Sequence, residues 1–159
     1  MHKISVLGLT LLLFLTQCTS KKTSDANAGG PPLPSMKMLT VDGKVLSTDD
    51  LSGPLIVVVF SPDCDHCQRE ATQIHEHLRE FRNYEVYFGS SYDLPVISEF
   101  QSRYELNQPN FHFGRIDPQY IVSSYGYIDL PSLYIYNEDK RLIKAFVGET
   151  PIEQILKYL

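Results

Sequence analysis

Residues 55–68 read LIVVVFSPDCDHCQ, and the fold turns on them. Positions 55–60 are an unbroken apolar run rich in β-branched residues, the pattern of a strand buried on both faces in the middle of a sheet. Beyond its end stand Cys64 and Cys67 at CxxC spacing, for which three uses compete: shuttling electrons, holding a metal, or stapling a turn. From there the apolar positions Cys67, Ala71, Ile74, Leu78 and Phe81 fall within about 80° of one another on a helical wheel, so the spacing predicts a helix with Cys67 on its buried stripe. Cys64, nearest the helix start, is then the exposed thiol.

On the N-terminal side, Met38–Val41 and Lys44–Leu46 flank Asp42-Gly43, a dipeptide that suits the left-handed angles of a tight turn, so a β-hairpin opens the domain. On the C-terminal side, Tyr84–Gly89 reads as a second strand. Asp93 caps a helix carrying Leu94, Ile97, Phe100 and Tyr104, and Phe111–Arg115 reads as a short strand. Asp117-Pro118 starts another helix, and Gly126 suits its end. SLYIY at 132–136 and RLIKAFV at 141–147 face each other across Asn137–Lys140 as a hairpin. Thr150-Pro151-Ile152-Glu153 has the form of a capping box with proline inside it, ahead of Ile155, Leu156 and Leu159 on one face of a last helix. A βα unit before a terminal ββα unit predicts an α/β fold, a central mixed β-sheet flanked by helices on both faces, with the N-terminal β-hairpin as an extension.

With 159 residues, 43% of them hydrophobic, the chain is about one domain long and can bury a core, since domains run to ~100 to 200 residues. The net charge is -5, and no block of lysine and arginine interleaves with aromatics, which removes nucleic acid as a partner. Residues 1–17, MHKISVLGLTLLLFLTQ, place a lysine before an apolar run from Ile4 to Leu15, the form of a secretory signal. The run is shorter than the ~20 residues a membrane span takes. Leu15-Thr16-Gln17-Cys18 resembles the lipobox of bacterial lipoproteins, in which the cysteine is lipidated, although Gln17 departs from the usual small residue. Of the three cysteines, Cys18 is then a lipid anchor, and Cys64 and Cys67 are a pair in an oxidising compartment. Residues 18–35 read as anchor and flexible linker, small, polar and rich in Gly and Pro, and residues 36–159 as the folded domain.

CxxC at a strand exit, followed much later by a Pro-led hairpin, resembles the thioredoxin fold. The DG turn at 42–43, Leu51, Gly53, the strand ending in Phe60, CDHC, Pro131 and Gly148 look more narrowly like the TlpA/ResA group of membrane-tethered thiol-disulfide oxidoreductases. That resemblance covers nearly all of residues 36–159. It implies that Pro131 is a cis proline beside the dithiol, with the Leu130 backbone pairing with an extended substrate chain; Tyr125 and Tyr127 are further candidates for that groove, although the core is the commoner place for them. It also implies an acid three residues after the second cysteine, a position held by Glu70. Departures are Asp63 where thioredoxins carry Trp, Val58 where thioredoxin carries a buried acid, and His66 instead of Pro before the second cysteine. His66 resembles the choice of more oxidising members.

A thiol attacks only as thiolate, and the unpaired N–H groups of a helix start favour that charge. Cys64 is the candidate nucleophile and Cys67 the resolving thiol. Because a shielded thiol must still lose its proton, a carboxylate of raised pKa at Glu70 would serve as general base; the competing reading is a surface glutamate paired with His66. Protonated His66 would favour a thiolate at the site while Asp63 and Asp65 would oppose it, so these three residues tune the redox balance.

A structural zinc site wants four ligands, and no second cysteine pair exists; His75 and His77 diverge on a helix. No metal or other cofactor is therefore expected. Copper handling by the cysteine pair with His112, or a non-catalytic redox-sensing or interaction module, are the alternatives. The expected function is thiol-disulfide exchange, reduction slightly favoured. Its expected partners are cysteine-containing exported proteins, a membrane or periplasmic electron donor, and the membrane itself through the anchor, placing the domain in the periplasm of a bacterial cell envelope.

Overall fold

The computed structural model describes residues 29–159; the signal sequence, Cys18 and the first part of the expected linker lie outside the described residues. Seven strands, β1 (Lys37–Thr40), β2 (Val45–Ser47), β3 (Leu55–Val59), β4 (Glu85–Ser90), β5 (Phe111–Ile116), β6 (Ser132–Tyr136) and β7 (Leu142–Val147), form one sheet in the order β2-β1-β5-β4-β3-β6-β7. β3, β4 and β5 run parallel, while β1, β6 and β7 join antiparallel. The sheet is mixed, as the sequence predicts.

All five residues of β3 are buried, because the strand lies mid-sheet and both faces are covered. Ile56, Val58 and Phe60 face a core shared with α1 (Asp65–Glu76), α2 (Leu94–Arg103) and the short α4 (Ile152–Ile155). Leu55, Val57 and Val59 face a second core with Met36, Met38, Tyr87 and Tyr134, closed by Ile121 and Tyr125 of α3 (Pro118–Tyr125). An uninterrupted apolar run is what two covered faces require. Among the described residues, no helix is long and apolar enough to cross a membrane.

Four local expectations change. Residues 30–33, assigned by composition to the linker, bond to the last hairpin: the Gly30 N–H donates to the Leu142 carbonyl at 2.9 Å and the Leu33 N–H to the Lys140 carbonyl at 2.8 Å. Val41 leaves the first hairpin because its N–H donates to the Phe113 carbonyl at 3.0 Å, so β1 ends at Thr40 and the turn widens, with Gly43 at φ 82°. The first helix stops at Glu76 instead of running to Phe81, although Leu78 and Phe81 still pack into the core through the turns that follow. Thr150 does not cap α4; its hydroxyl donates to the Gly148 carbonyl at 3.1 Å, and the Ile152 N–H is met at 3.0 Å by Gln73 Oε1 from α1.

Candidate active site

β3 delivers the chain to the cysteines just beyond its C-terminal end, where α1 begins. Cys64 is the N-cap of α1, half-buried, and its Sγ accepts the Cys67 N–H at 3.4 Å. This is the cap position at which an acceptor satisfies one of the free N–H groups of a helix start. The Cys64 thiol also lies 3.8 Å from the Leu130 carbonyl, to which it donates. Cys67, one turn on, is 2% exposed. Burial pushes its thiol well above the ordinary range, and the neighbouring Cys64 and Glu70 push it the same way.

The Leu130-Pro131 bond is cis, and β6 follows at Ser132. The Pro131 carbonyl accepts the Gly148 N–H at 2.8 Å, where φ of 81° suits glycine. Pro131, Cys67 and Glu70 all border a void of about 10 Å³ walled by Val58 and Phe60, about the room one water needs.

Glu70 is 2% exposed, and its Oε1 has no hydrogen-bond partner. Burial raises its carboxyl to about 7; the backbone N–H of Thr150 opposes the shift and Glu149 adds to it. The surface pairing of Glu70 with His66 is not formed. His66 turns instead to Glu149 and Arg69, with Nδ1 beside Glu149 Oε2 and 2.6 Å from Arg69 Nη2. That nitrogen accepts from Arg69 or donates to Glu149, according to its tautomer. Arg69 grips Glu149 at two points, Nε to Oε1 at 2.7 Å and Nη2 to Oε2 at 2.6 Å. The Arg69 and His66 contacts hold the Glu149 carboxyl down to about 2.

Asp63 accepts from Ser61 Oγ and from the Tyr92 hydroxyl, the latter at 2.6 Å, and these hold its carboxyl below the ordinary range. Asp65 is the exposed first residue of α1. Tyr125 stacks on Tyr134 with ring centroids 4.0 Å apart in the second core, away from the dithiol, whereas Tyr127 is 97% exposed and so not in the core. His112 is not brought to the cysteines. It pairs with Glu85 at 2.6 Å, and Glu85 is level with Leu55 at the start of β3, the end of the strand away from Cys64.

The sequence reading missed Arg69, Glu149, Thr150 and Tyr92. Each acts across 29 to 80 positions of chain, and isolated polar residues carry no periodicity that would have paired them. Gly148 was the nearest signal, since it marks a special turn beside Glu149.

A dithiol with one accessible and one buried sulfur, next to a cis proline and a buried carboxyl, can form a mixed disulfide at the first sulfur and resolve it with the second. Residues 30–145 match the AhpC/TSA family. The thiol-disulfide oxidoreductase ResA of Bacillus thuringiensis (strain Al Hakam) is 25% identical over 136 residues, covering 82% of this chain and 76% of that protein. Among solved structures, a thiol:disulfide interchange protein of the thioredoxin family from Chlorobium tepidum TLS superposes with a TM-score of 0.65 at 23% identity, covering 83% of this chain and 97% of the other. A secreted Mycobacterium tuberculosis disulfide oxidoreductase homologous to E. coli DsbE superposes with a TM-score of 0.62 at 17% identity, covering 77% and 92%. These likenesses agree with the thioredoxin-like fold.

Proposed function

The chain belongs to the AhpC/TSA family and is a thiol-disulfide oxidoreductase; we propose that it reduces disulfides in exported proteins, with Cys64 attacking and Cys67 resolving. The observation that carries this reading is the inequality of the two thiols, one half-buried at a helix N-cap and the other 2% exposed beside Glu70. The Cys64 thiolate attacks one sulfur of a client disulfide, forming a Cys64–client disulfide and releasing the first client thiolate, which takes up a proton. Glu70 accepts the proton of Cys67, whose sulfur then attacks Cys64 Sγ. The Cys64–Cys67 disulfide forms and the second client thiolate leaves, so the client gains two electrons and this chain loses two. A dithiol donor at the membrane restores the reduced pair. The Leu130 backbone, whose carbonyl already meets Cys64, would align the client segment.

The direction rests on charge. A fixed negative charge beside the sulfurs disfavours the reduced, thiolate-bearing state and makes the pair a better reductant. Asp63, next to Cys64, is held ionised by hydroxyl donors without a cation, whereas His66 and Arg69 are both engaged by Glu149. The reduction potential should therefore fall nearer thioredoxin's, about −270 mV, than the oxidant DsbA's, about −120 mV. Equilibration with glutathione buffers and thiol alkylation measures it, and a value near the oxidant would reverse the direction.

The envelope location rests on residues 1–18, which pair an n-region lysine and a short apolar run with Cys18 in a lipobox-like setting. The test of the function is to express Cys67→Ser in the native envelope and identify what stays disulfide-linked to Cys64. Exported proteins with cysteine pairs are the expected adducts; no adduct, together with no insulin reduction by the wild-type protein, sinks the reading.

A further inference from the structure

Neighbouring residues of α1 reach neighbouring residues of the segment between β7 and α4. Arg69 holds the Glu149 carboxylate at two points, 2.7 and 2.6 Å; Glu70 borders the same void as Pro131, to which the segment is bonded, and the Thr150 backbone N–H favours its charged form. The segment is tied at both sides, by the Gly148 N–H on the Pro131 carbonyl at 2.8 Å and by the Ile152 N–H on Gln73 Oε1 at 3.0 Å. Within it, the side chain of Thr150 turns back to the Gly148 carbonyl, which leaves the backbone N–H as the group presented to Glu70. A two-point guanidinium grip fixes orientation as well as distance. We propose that Arg69 is a positioning residue for disulfide reduction: its fork on Glu149 sets the segment so that the Thr150 N–H stands against the Glu70 carboxylate.

The consequence, which rests on the reading of Glu70 as the base for Cys67, is that an exposed arginine governs when the buried carboxyl is ionised. The titratable groups facing Glu70 are Cys67 on its own helix and Glu149 on the segment. β3, β4 and α2 face it with Val58, Phe88 and Phe100, which are apolar. Without Arg69, the N–H that favours the carboxylate is no longer held in place and the Glu149 charge is left without its main partner. Both changes favour protonated Glu70.

Carbon-13 NMR of the Glu70 carboxyl, titrated in the full folded domain, reads this directly in wild type, Arg69→Ala and Arg69→Lys. From a wild-type midpoint near 7, Arg69→Ala should move it up by about one unit, the worth of one charge-assisted hydrogen bond. The Thr150 amide proton should cease to follow the Glu70 titration. Lysine keeps the charge but not the fork, so Arg69→Lys should restore only part of the shift. An unchanged midpoint in Arg69→Ala, or full restoration by lysine, overturns the positioning role. The pH profile of insulin reduction, taken on the same proteins, separates the two readings: a midpoint that moves under an unmoved profile upholds the positioning by Arg69 and removes Glu70 as the base.

Discussion

Glu70 costs the fold stability, and the pH dependence of that cost can be worked out. Its carboxyl is raised from 4.5 to about 7 by burial, a difference of about 3 kcal/mol between its charged and neutral forms. Between these two values the folded protein holds the proton while the unfolded chain has lost it. Stability therefore falls as pH rises through the window, with no cost below about 4.5 and the full cost above about 7. Glu70→Gln should show little gain in urea unfolding at pH 4 and a gain of up to about 3 kcal/mol at pH 8; an equal gain at both would mean that Glu70 is not a buried acid. The kinetic signature runs the other way, because only ionised Glu70 can accept the Cys67 proton. Resolution of the mixed disulfide should accelerate as pH passes about 7. Glu70→Gln should slow it by about 10²-fold or more, the usual worth of a positioned base, and unchanged release of client thiol in stopped flow would remove the role. A residue that is destabilising when ionised and required when ionised is a stability concession of the kind found at working sites.

At the scale of elements, what was legible had a period or a punctuating residue. The run at 55–60 and the stripe from Cys67 to Ile74 report burial on two faces and on one, and those alone bring Cys64, Cys67 and Glu70 together at one helix start. The failures came where a long-range partner outbid the local signal. Thr150 reads as a cap, but Gln73 from α1 takes the Ile152 N–H and Thr150 turns to Gly148. Asp93 reads as a cap and stands at that position, yet its side chain makes no cap bond and meets Arg115 Nη1 at 3.2 Å. Close approach of strands was equally hidden. β1 crosses β5 at Gly114, where an added Cβ would lie 2.5 Å from both the Leu39 carbonyl oxygen and Met38 Cγ. Because a backbone oxygen cannot step aside as a flexible side chain can, Gly114→Ala should destabilise by about 1–3 kcal/mol, the cost of overpacking. Urea midpoints with an unchanged m-value would measure it, and a neutral substitution would show that β1 is loosely held.

For the whole molecule, the question is how the dithiol meets its clients, and the answer depends on residues outside the described fold. Cys18 stands eleven steps before Gly29, the first described residue, since 29 minus 18 is 11. A chain extends by at most about 3.6 Å per residue, so a lipid at Cys18 would keep the start of the domain within about 40 Å of the membrane surface. Residues 30–33 bond to residues 140–142, so an anchor at Cys18 would attach the domain beside its last hairpin. A single acyl chain gives only marginal membrane binding, and stable anchoring takes at least two signals; a lipobox cysteine, if processed as the resemblance implies, would have to carry more than one chain. Cys18→Ser should therefore shift the protein from the detergent phase to the aqueous phase in a phase-separation assay of the envelope fraction. The purified variant should reduce insulin as wild type does, because Cys18 has no part in the dithiol. In the Cys18→Ser, Cys67→Ser double variant, adducts with membrane-bound clients should decline while soluble exported clients persist. A Cys18→Ser protein that stays in the detergent phase would overturn lipid anchoring and move the search for a membrane attachment to the apolar run at 4–15.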